Sequence, residues 1–184
     1  EEACLDWIEP IFGSLVARHG VYYILGNHDK RIRDQAAFRQ RLTDAGMVDV
    51  SGRWVSVPVG DAVIRIAGNE LPWYAGAKEL PIDPPGDNGE PTLKILLSHS
   101  PDQIDWAGPY AFDLMFAGHN HGGQIVIPIA GPIIAPSKYG VKYASGSFKI
   151  GSTLMHVSRG LSGDKCIRLN CPPEIGQFTL TERS

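Results

Sequence analysis

Three short apolar runs, each breaking into a turn built of Gly, Asn and His, constrain this chain more than anything else in it. Residues 21–25, 93–97 and 112–116 are apolar stretches of strand length, fit for strands covered on both faces. They end in Gly26-Asn27-His28-Asp29, in Ser98-His99-Ser100-Pro101 and in Gly118-His119-Asn120-His121-Gly122-Gly123. Turns at the carboxyl ends of strands in an open α/β sheet lie along one edge, where ligands bind. The pattern therefore gathers imidazole and amide groups from distant segments. Neutral nitrogen and carbonyl donors of this kind suit a divalent transition metal.

The rest of the chain fits an α/β reading over a single domain, residues 1–184, without repeats or linkers. Leu5, Ile8, Ile11, Phe12, Leu15 and Val16 recur at helical spacing and predict a helix over 3–18, kinked at Pro10. His19 then sits at that helix's carboxyl end, where positive charge suits the dipole. A second helix is expected over 30–45, closed by Gly46. Residues 54–59 and 63–67 alternate as a hairpin around Gly60-Asp61. Residues 72–91 and 128–142 read as loops, and 143–150, 153–158 and 175–181 as three closing strands, with His156 structural in the second.

Composition narrows the function classes. The 184 residues are 43% hydrophobic and 20% charged, with net charge -3, which gives no electrostatic reason to expect a nucleic-acid partner. No apolar run approaches the roughly 20 residues of a membrane-spanning helix. The three cysteines, Cys4, Cys166 and Cys171, are odd in number and lack CxxC spacing, which argues against a disulfide framework or a cysteine zinc site. The chain opens on Glu1-Glu2-Ala3-Cys4 without a signal-peptide pattern, and localisation stays open.

Taken singly, each motif is also a good polar turn. Asn27 and Asp29 are residues that hydrogen-bond their own backbone, and His99 reads equally as a hydrogen-bonded loop histidine. In His119-x-His121 the two imidazoles address different points of a cavity, and Gly122-Gly123 permits close backbone approach. Metallo-β-lactamase-like proteins follow such a pair with Asp-His. Here two glycines follow, which disfavours that reading.

In order, Gly26-Asn27-His28-Asp29, His99 and Gly118-His119-Asn120-His121 resemble the last three sequence blocks of the calcineurin-like metallophosphoesterases. Ser158-Arg159-Gly160-Leu161 and the stretch from Arg168 to Ile175 are similar to a bacterial phosphodiesterase branch of that superfamily, with cell-envelope and lipid-precursor members. The resemblance implies an αββα four-layer sandwich holding two divalent metals (Mn, Fe or Zn), with a metal-bridging hydroxide attacking a phosphoester substrate. It implies Asn27, His99 and His119 as ligands of one metal and His121 as a ligand of the other. His28 would act as general acid beside the leaving oxygen, and Asp29 would hold the loop from behind.

Two blocks of that pattern are absent: the Asp-x-His pair, and the Gly-Asp whose carboxylate bridges both metals. Gly60-Asp61 and Gly68-Asn69-Glu70 imitate blocks out of order and read as turns. The expectation is a carboxyl-terminal part of a longer enzyme that binds at most one metal well and hydrolyses phosphodiesters poorly. Its sheet edge beside 21–25 would be left for the missing segment or a second chain. The alternative is a non-catalytic metal-binding or interaction domain of the same fold. A nuclease shares the metal chemistry but lacks a basic groove. Arg159 is a candidate phosphate contact, and Trp73, Tyr74 and Tyr139 are candidate pocket walls.

Overall fold

The computed structural model describes residues 2–82, 90–162 and 167–181. Its centre is a six-stranded sheet in the order β3 (Trp54–Val59), β4 (Ala62–Asn69), β5 (Thr92–Ser98), β6 (Leu114–Ala117), β10 (Thr153–Val157) and β9 (Gly146–Ile150). The four inner strands run parallel, and β3 and β9 close the two edges antiparallel. A second, two-stranded parallel sheet joins β1 (Val21–Tyr23) to β2 (Met47–Asp49).

Side-chain alternation sorts the core into three interfaces and hence four layers. Ala67, Leu96, Met115 and Met155 point to one face of the large sheet, where α3 (Ile104–Ala107), Phe112 and Tyr143 cover them. Their neighbours Ile66, Ile95, Leu97 and Phe116 point to the other face, against Tyr22, Ile24, Val48 and Val50 of the small sheet. The small sheet's outer side, with Tyr23, Leu25 and Met47, packs beneath α1 (Ile8–Phe12) and α2 (Gln35–Asp44). The order is helices, sheet, sheet, helix: a mixed α/β sandwich.

Several boundaries differ from expectation. The first helix is a 3-10 turn, Glu2–Trp7, followed by α1, and it ends at Phe12 rather than at 18. Leu15 and Val16 keep helical spacing but are exposed, so no burial rewards continuing. His19 consequently lies in the turn before β1, where its carbonyl accepts the Tyr22 hydroxyl at 2.5 Å. The second helix splits into a 3-10 turn, Asn27–Arg31, and α2, whose start is capped by the Asp34 carboxylate accepting the Ala37 amide at 2.8 Å.

Strand β2 was not legible, since three residues carry no period. Within 128–142 a small ladder forms between β7 (Val126–Ile127) and β8 (Gly131–Pro132). Residues 175–181 form no strand: Phe178 sits on Phe116 and His156 instead, at ring distances of 5.0 and 4.7 Å. Part of the expected 72–91 loop, residues 83–89, lies outside the described residues, as do Cys166 and the side chain of Cys4. Cys171 is buried and free. Among the described residues β1 pairs with β2 alone, and no helix is long and apolar enough to cross a membrane.

Candidate metal centre

Strand register sets the site. Asn69, Ser98 and Ala117 are partners across β4, β5 and β6, so the chains leave these strands at one level. Hydrogen bonds carry that alignment past the strand ends, from the His99 amide to the Asn69 carbonyl at 3.3 Å and from the Gly118 amide to the His99 carbonyl at 3.2 Å. The small sheet brings the fourth segment. Gly26 passes so close to the His99 ring that a β-carbon on it would stand 2.6 Å from Nδ1 and 2.9 Å from Nε2.

The structure brings Asn27, His99, His119 and His121 together. His99 Nε2 lies 2.8 Å from Asn27 Oδ1, and the His99 and His119 rings are 5.0 Å apart. A cleft of about 460 Å³ opens on Asn27, His28, Arg31, His119 and His121. An adjoining cavity of about 280 Å³ is lined by Asn27, His28, His99 and His121. His28 is exposed and faces both. Asp29 turns inward: its Oδ2 accepts the Gly26 amide at 2.6 Å and closes the turn on itself.

The His119-x-His121 loop is held in a backbone form that side chains rarely adopt. His119, His121, Gly122, Gly123 and Gln124 all have φ between 50 and 76°. Three ties hold it. Buried Asn120 donates through Nδ2 to the Tyr143 carbonyl at 2.7 Å, and the Cys171 thiol donates to the His121 carbonyl at 3.3 Å. Gly122 leaves no room for a side chain, because a β-carbon would meet Cys171 Sγ at 2.5 Å and Arg159 Cγ at 2.7 Å. Sequence reasoning did not find Asn120 or Cys171; the flanking glycines were the available signal for a crowded turn.

Arg159 is engaged within the chain. Its guanidinium pairs with Glu174, with Nε donating at 2.7 Å, and its stem packs under Gly122. Tyr74 donates to Gln35 at 2.9 Å and Tyr139 to Asp105 at 2.6 Å, so both are tied into packing. Trp73 is different. Its ring lies 4.9 Å from that of His99 and 4.7 Å from that of His119, forming one wall of the cluster. Gly68-Asn69-Glu70 is likewise no turn: Gly68 and Asn69 end β4, and Glu70 is buried.

Burial favours the neutral form of the His99 and His119 imidazoles. Burial pushes His99 down to about 4, and the neighbouring His119, His121 and His28 push the same way. Burial also lowers His119, helped by His121, against a hydrogen bond to the Pro136 carbonyl that raises it. Neutral imidazole is the metal-ligating form, and a ligating ring commonly donates its other N–H to such a carbonyl. The 2.8 Å contact between His99 Nε2 and Asn27 Oδ1 is a hydrogen bond, which aims both atoms at the same hollow. The set fits a divalent cation in donor type. None of the four is an anion, and among the described residues no three His, Cys, Asp or Glu side chains, these histidines included, are grouped closely enough to hold a metal by themselves.

A pH dependence follows for the metal-free protein. The folded value of His99 lies below the ordinary 6.5, so the unfolded chain binds this proton first as pH falls. The associated stability is present above about 6.5 and is lost progressively towards about 4. Urea midpoints should fall over that window, and His99→Gln should flatten the fall. An unchanged slope in that variant would contradict the assigned environment.

The chain is similar to several curated bacterial proteins. It is 32% identical to the uncharacterized metallophosphoesterase YkuE of Bacillus subtilis over 178 residues, which are 93% of this chain and 59% of that protein. It is 26% identical to phosphodiesterase YaeI of Escherichia coli over 157 residues, 84% of this chain and 56% of that one. Over 93 residues, 46% of this chain and 28% of the relative, it is 40% identical to UDP-2,3-diacylglucosamine pyrophosphatase LpxG of Chlamydia trachomatis. The chain thus spans less than three-fifths of the length of each of these relatives. No protein-family model and no solved structure matches it.

Proposed function

We propose that the chain is a calcineurin-like metallophosphoesterase, as its similarity to a metallophosphoesterase and a phosphodiesterase supports, and that it contributes the histidine-rich half of a centre for metal-dependent hydrolysis of phosphodiester or pyrophosphate bonds. The observation that supports this best is that Asn27, His99, His119 and His121 line two adjoining cavities, with Asn27 Oδ1 and His99 Nε2 hydrogen-bonded at 2.8 Å and the His99 and His119 rings 5.0 Å apart. In this reading Asn27, His99 and His119 hold one divalent metal, and His121 faces a second.

The metals, when bound, supply Lewis-acid polarisation of a phosphoryl oxygen and an acidified water. The chain's own residues do the rest. Trp73 and the Asn120–Tyr143 tie hold His99 and His119 in place. His28, exposed to both cavities, is placed to give a proton to a leaving oxygen. Arg31 lines the larger cleft and gives it a positive charge that suits a phosphate.

The donor set has no carboxylate, so the anionic ligands come, in this reading, from sequence outside this chain. The chain alone then binds one metal and turns over slowly. Hydrolysis of bis-p-nitrophenyl phosphate with Mn²⁺, Fe²⁺ or Zn²⁺ tests this. Slow turnover that needs added metal, and that rises in a longer natural polypeptide, is expected. Turnover in EDTA, or none with any metal in the longer polypeptide, contradicts it. Asn27→Asp supplies one anion directly and should tighten Mn²⁺ binding about tenfold, read by calorimetry. Binding left equal or weaker would contradict the role given to position 27.

A further inference from the structure

Behind the Asn27 turn lies an ionic cluster, with Glu70 buried and Arg39 and Asp49 half-buried, that does not line the two cavities. Glu70 follows β4 directly and is 3% exposed. Its Oε1 accepts both the Leu25 amide and the Ser51 hydroxyl, the latter at 2.5 Å, and its Oε2 accepts Arg39 Nη2 at 2.6 Å. Arg39 extends the cluster from α2, donating through Nη1 to Asp49 at 2.6 Å and to Ser51 at 3.0 Å. Asp49 ends β2 and accepts the Tyr23 hydroxyl at 3.5 Å. The backbone of Glu70 is engaged as well, since its carbonyl accepts the amides of Trp73 at 3.0 Å and Tyr74 at 3.1 Å.

We propose that Glu70 is a positioning residue for the metal centre, because its one side chain and one carbonyl fix both Asn27 and the Trp73 wall. The carboxylate grips the chain at Leu25, two residues before Asn27, and the carbonyl grips Trp73, which rests on His99 and His119. This rests on the metal reading given above. The chemistry explains why an acid is required. Oε1 must accept two donors at once while Oε2 meets a guanidinium, and a carboxylate has acceptor capacity for all three. Glutamine keeps Oε1 but turns an N–H₂ donor towards Arg39, so the charge-assisted bond is lost. Arg39 then has one anion, Asp49, in place of two, and Leu25 loses the pull of a charged acceptor. A donor displaced by more than about 0.5 Å no longer meets a cation productively.

The test is Zn²⁺ affinity, measured in competition with a chromophoric chelator, alongside urea stability, for the chain and three variants. Glu70→Gln is expected to weaken Zn²⁺ binding by 10- to 100-fold, the range for partners lying behind ligands. Its Leu25 amide proton should move upfield relative to that of the unsubstituted chain. Glu90→Gln breaks another ion pair, that of Arg65 with Glu90 at 2.9 Å near the opposite ends of β4 and β5. It should lower stability with Zn²⁺ affinity unchanged. Should Glu70→Gln fail to fold, Ser51→Ala removes one donor to Oε1 and is expected to weaken Zn²⁺ about threefold. If the unsubstituted chain binds Zn²⁺ and the Glu70 or Ser51 variant binds it equally well, the positioning role is overturned and the metal reading stands. If Glu90→Gln weakens Zn²⁺ as much as Glu70→Gln does, the effect is general destabilisation and the role is again overturned. A chain that takes no Zn²⁺ overturns the metal reading, and this inference with it.

Discussion

Replacing Gly26 with alanine should lower divalent-metal affinity at least 100-fold while leaving the chain folded. Gly26 has φ −113° and ψ −178°, extended backbone that any residue adopts, so no strain enters. The whole effect is steric. The added methyl would stand 2.6 Å from His99 Nδ1 and 2.9 Å from Nε2, well inside contact distance. The ring has little room to withdraw, with Trp73 and His119 packed at centroid distances of 4.9 and 5.0 Å. Either His99 leaves its rotamer or the Asn27 turn backs away, and both separate the two donors now 2.8 Å apart. Overpacking of this kind costs about 1–3 kcal/mol, within what a domain of this size tolerates. Gly118→Ala is the control. It also adjoins a candidate ligand, yet its β-carbon would meet only the His99 carbonyl, at 3.9 Å. Calorimetric Mn²⁺ titration of both variants should separate them by two orders of magnitude. Equal affinities would contradict the close approach of the two sheets at this point.

Phe112→Ala should cost about 3–5 kcal/mol, the largest loss expected from a single core truncation here. Phe112 is fully buried between the large sheet and its helical layer, stacked on Trp54 at 5.1 Å and flanked by Tyr110 at 5.8 Å. Its carbonyl accepts the buried Thr153 hydroxyl at 2.7 Å, which ties it to β10. The rings around it are held in turn: the Tyr110 hydroxyl donates to the Leu80 carbonyl at 3.3 Å and Trp54 Nε1 to the Pro81 carbonyl at 2.9 Å. Collapse into the vacated volume is therefore restricted, and a cavity remains. The urea midpoint should drop steeply at an unchanged slope. A loss below about 1 kcal/mol would mean that the helical layer is not packed on the sheet as described.

What was legible in the sequence follows a physical line. The convergence of Asn27, His99 and His119 was legible because each stands at the end of an apolar run, a place that sheet topology brings to one edge. The hairpin around Gly60 was read nearly to its boundaries, because alternation over six to eight residues is a strong signal. Where the reading failed, a distant layer decided the outcome. Gly68-Asn69-Glu70 has the letters of a turn, yet Gly68 is needed because Ile24 Cγ2 would stand 2.6 Å from its β-carbon, and Glu70 is buried among partners 19 to 45 residues away. No local window contains that information. Phe178 and Leu180 alternate with Gln177, Thr179 and Thr181 as in a strand, but the chain there finds an aromatic neighbour rather than a ladder partner.

The central claim is that three separated segments, carrying Asn27, His99 and the His119–His121 pair, hold one cation between them, and Co²⁺ titration followed by tryptophan fluorescence tests it most directly. Trp73 lies 4.7 to 4.9 Å from two of the candidate ligands, close enough for a bound paramagnetic ion to quench it. The expected result is saturable quenching at one Co²⁺ per chain, absent in Trp73→Phe and lost in Asn27→Ala, His99→Ala and His119→Ala. Quenching that never saturates, or that survives removal of His99 and His119, would contradict it.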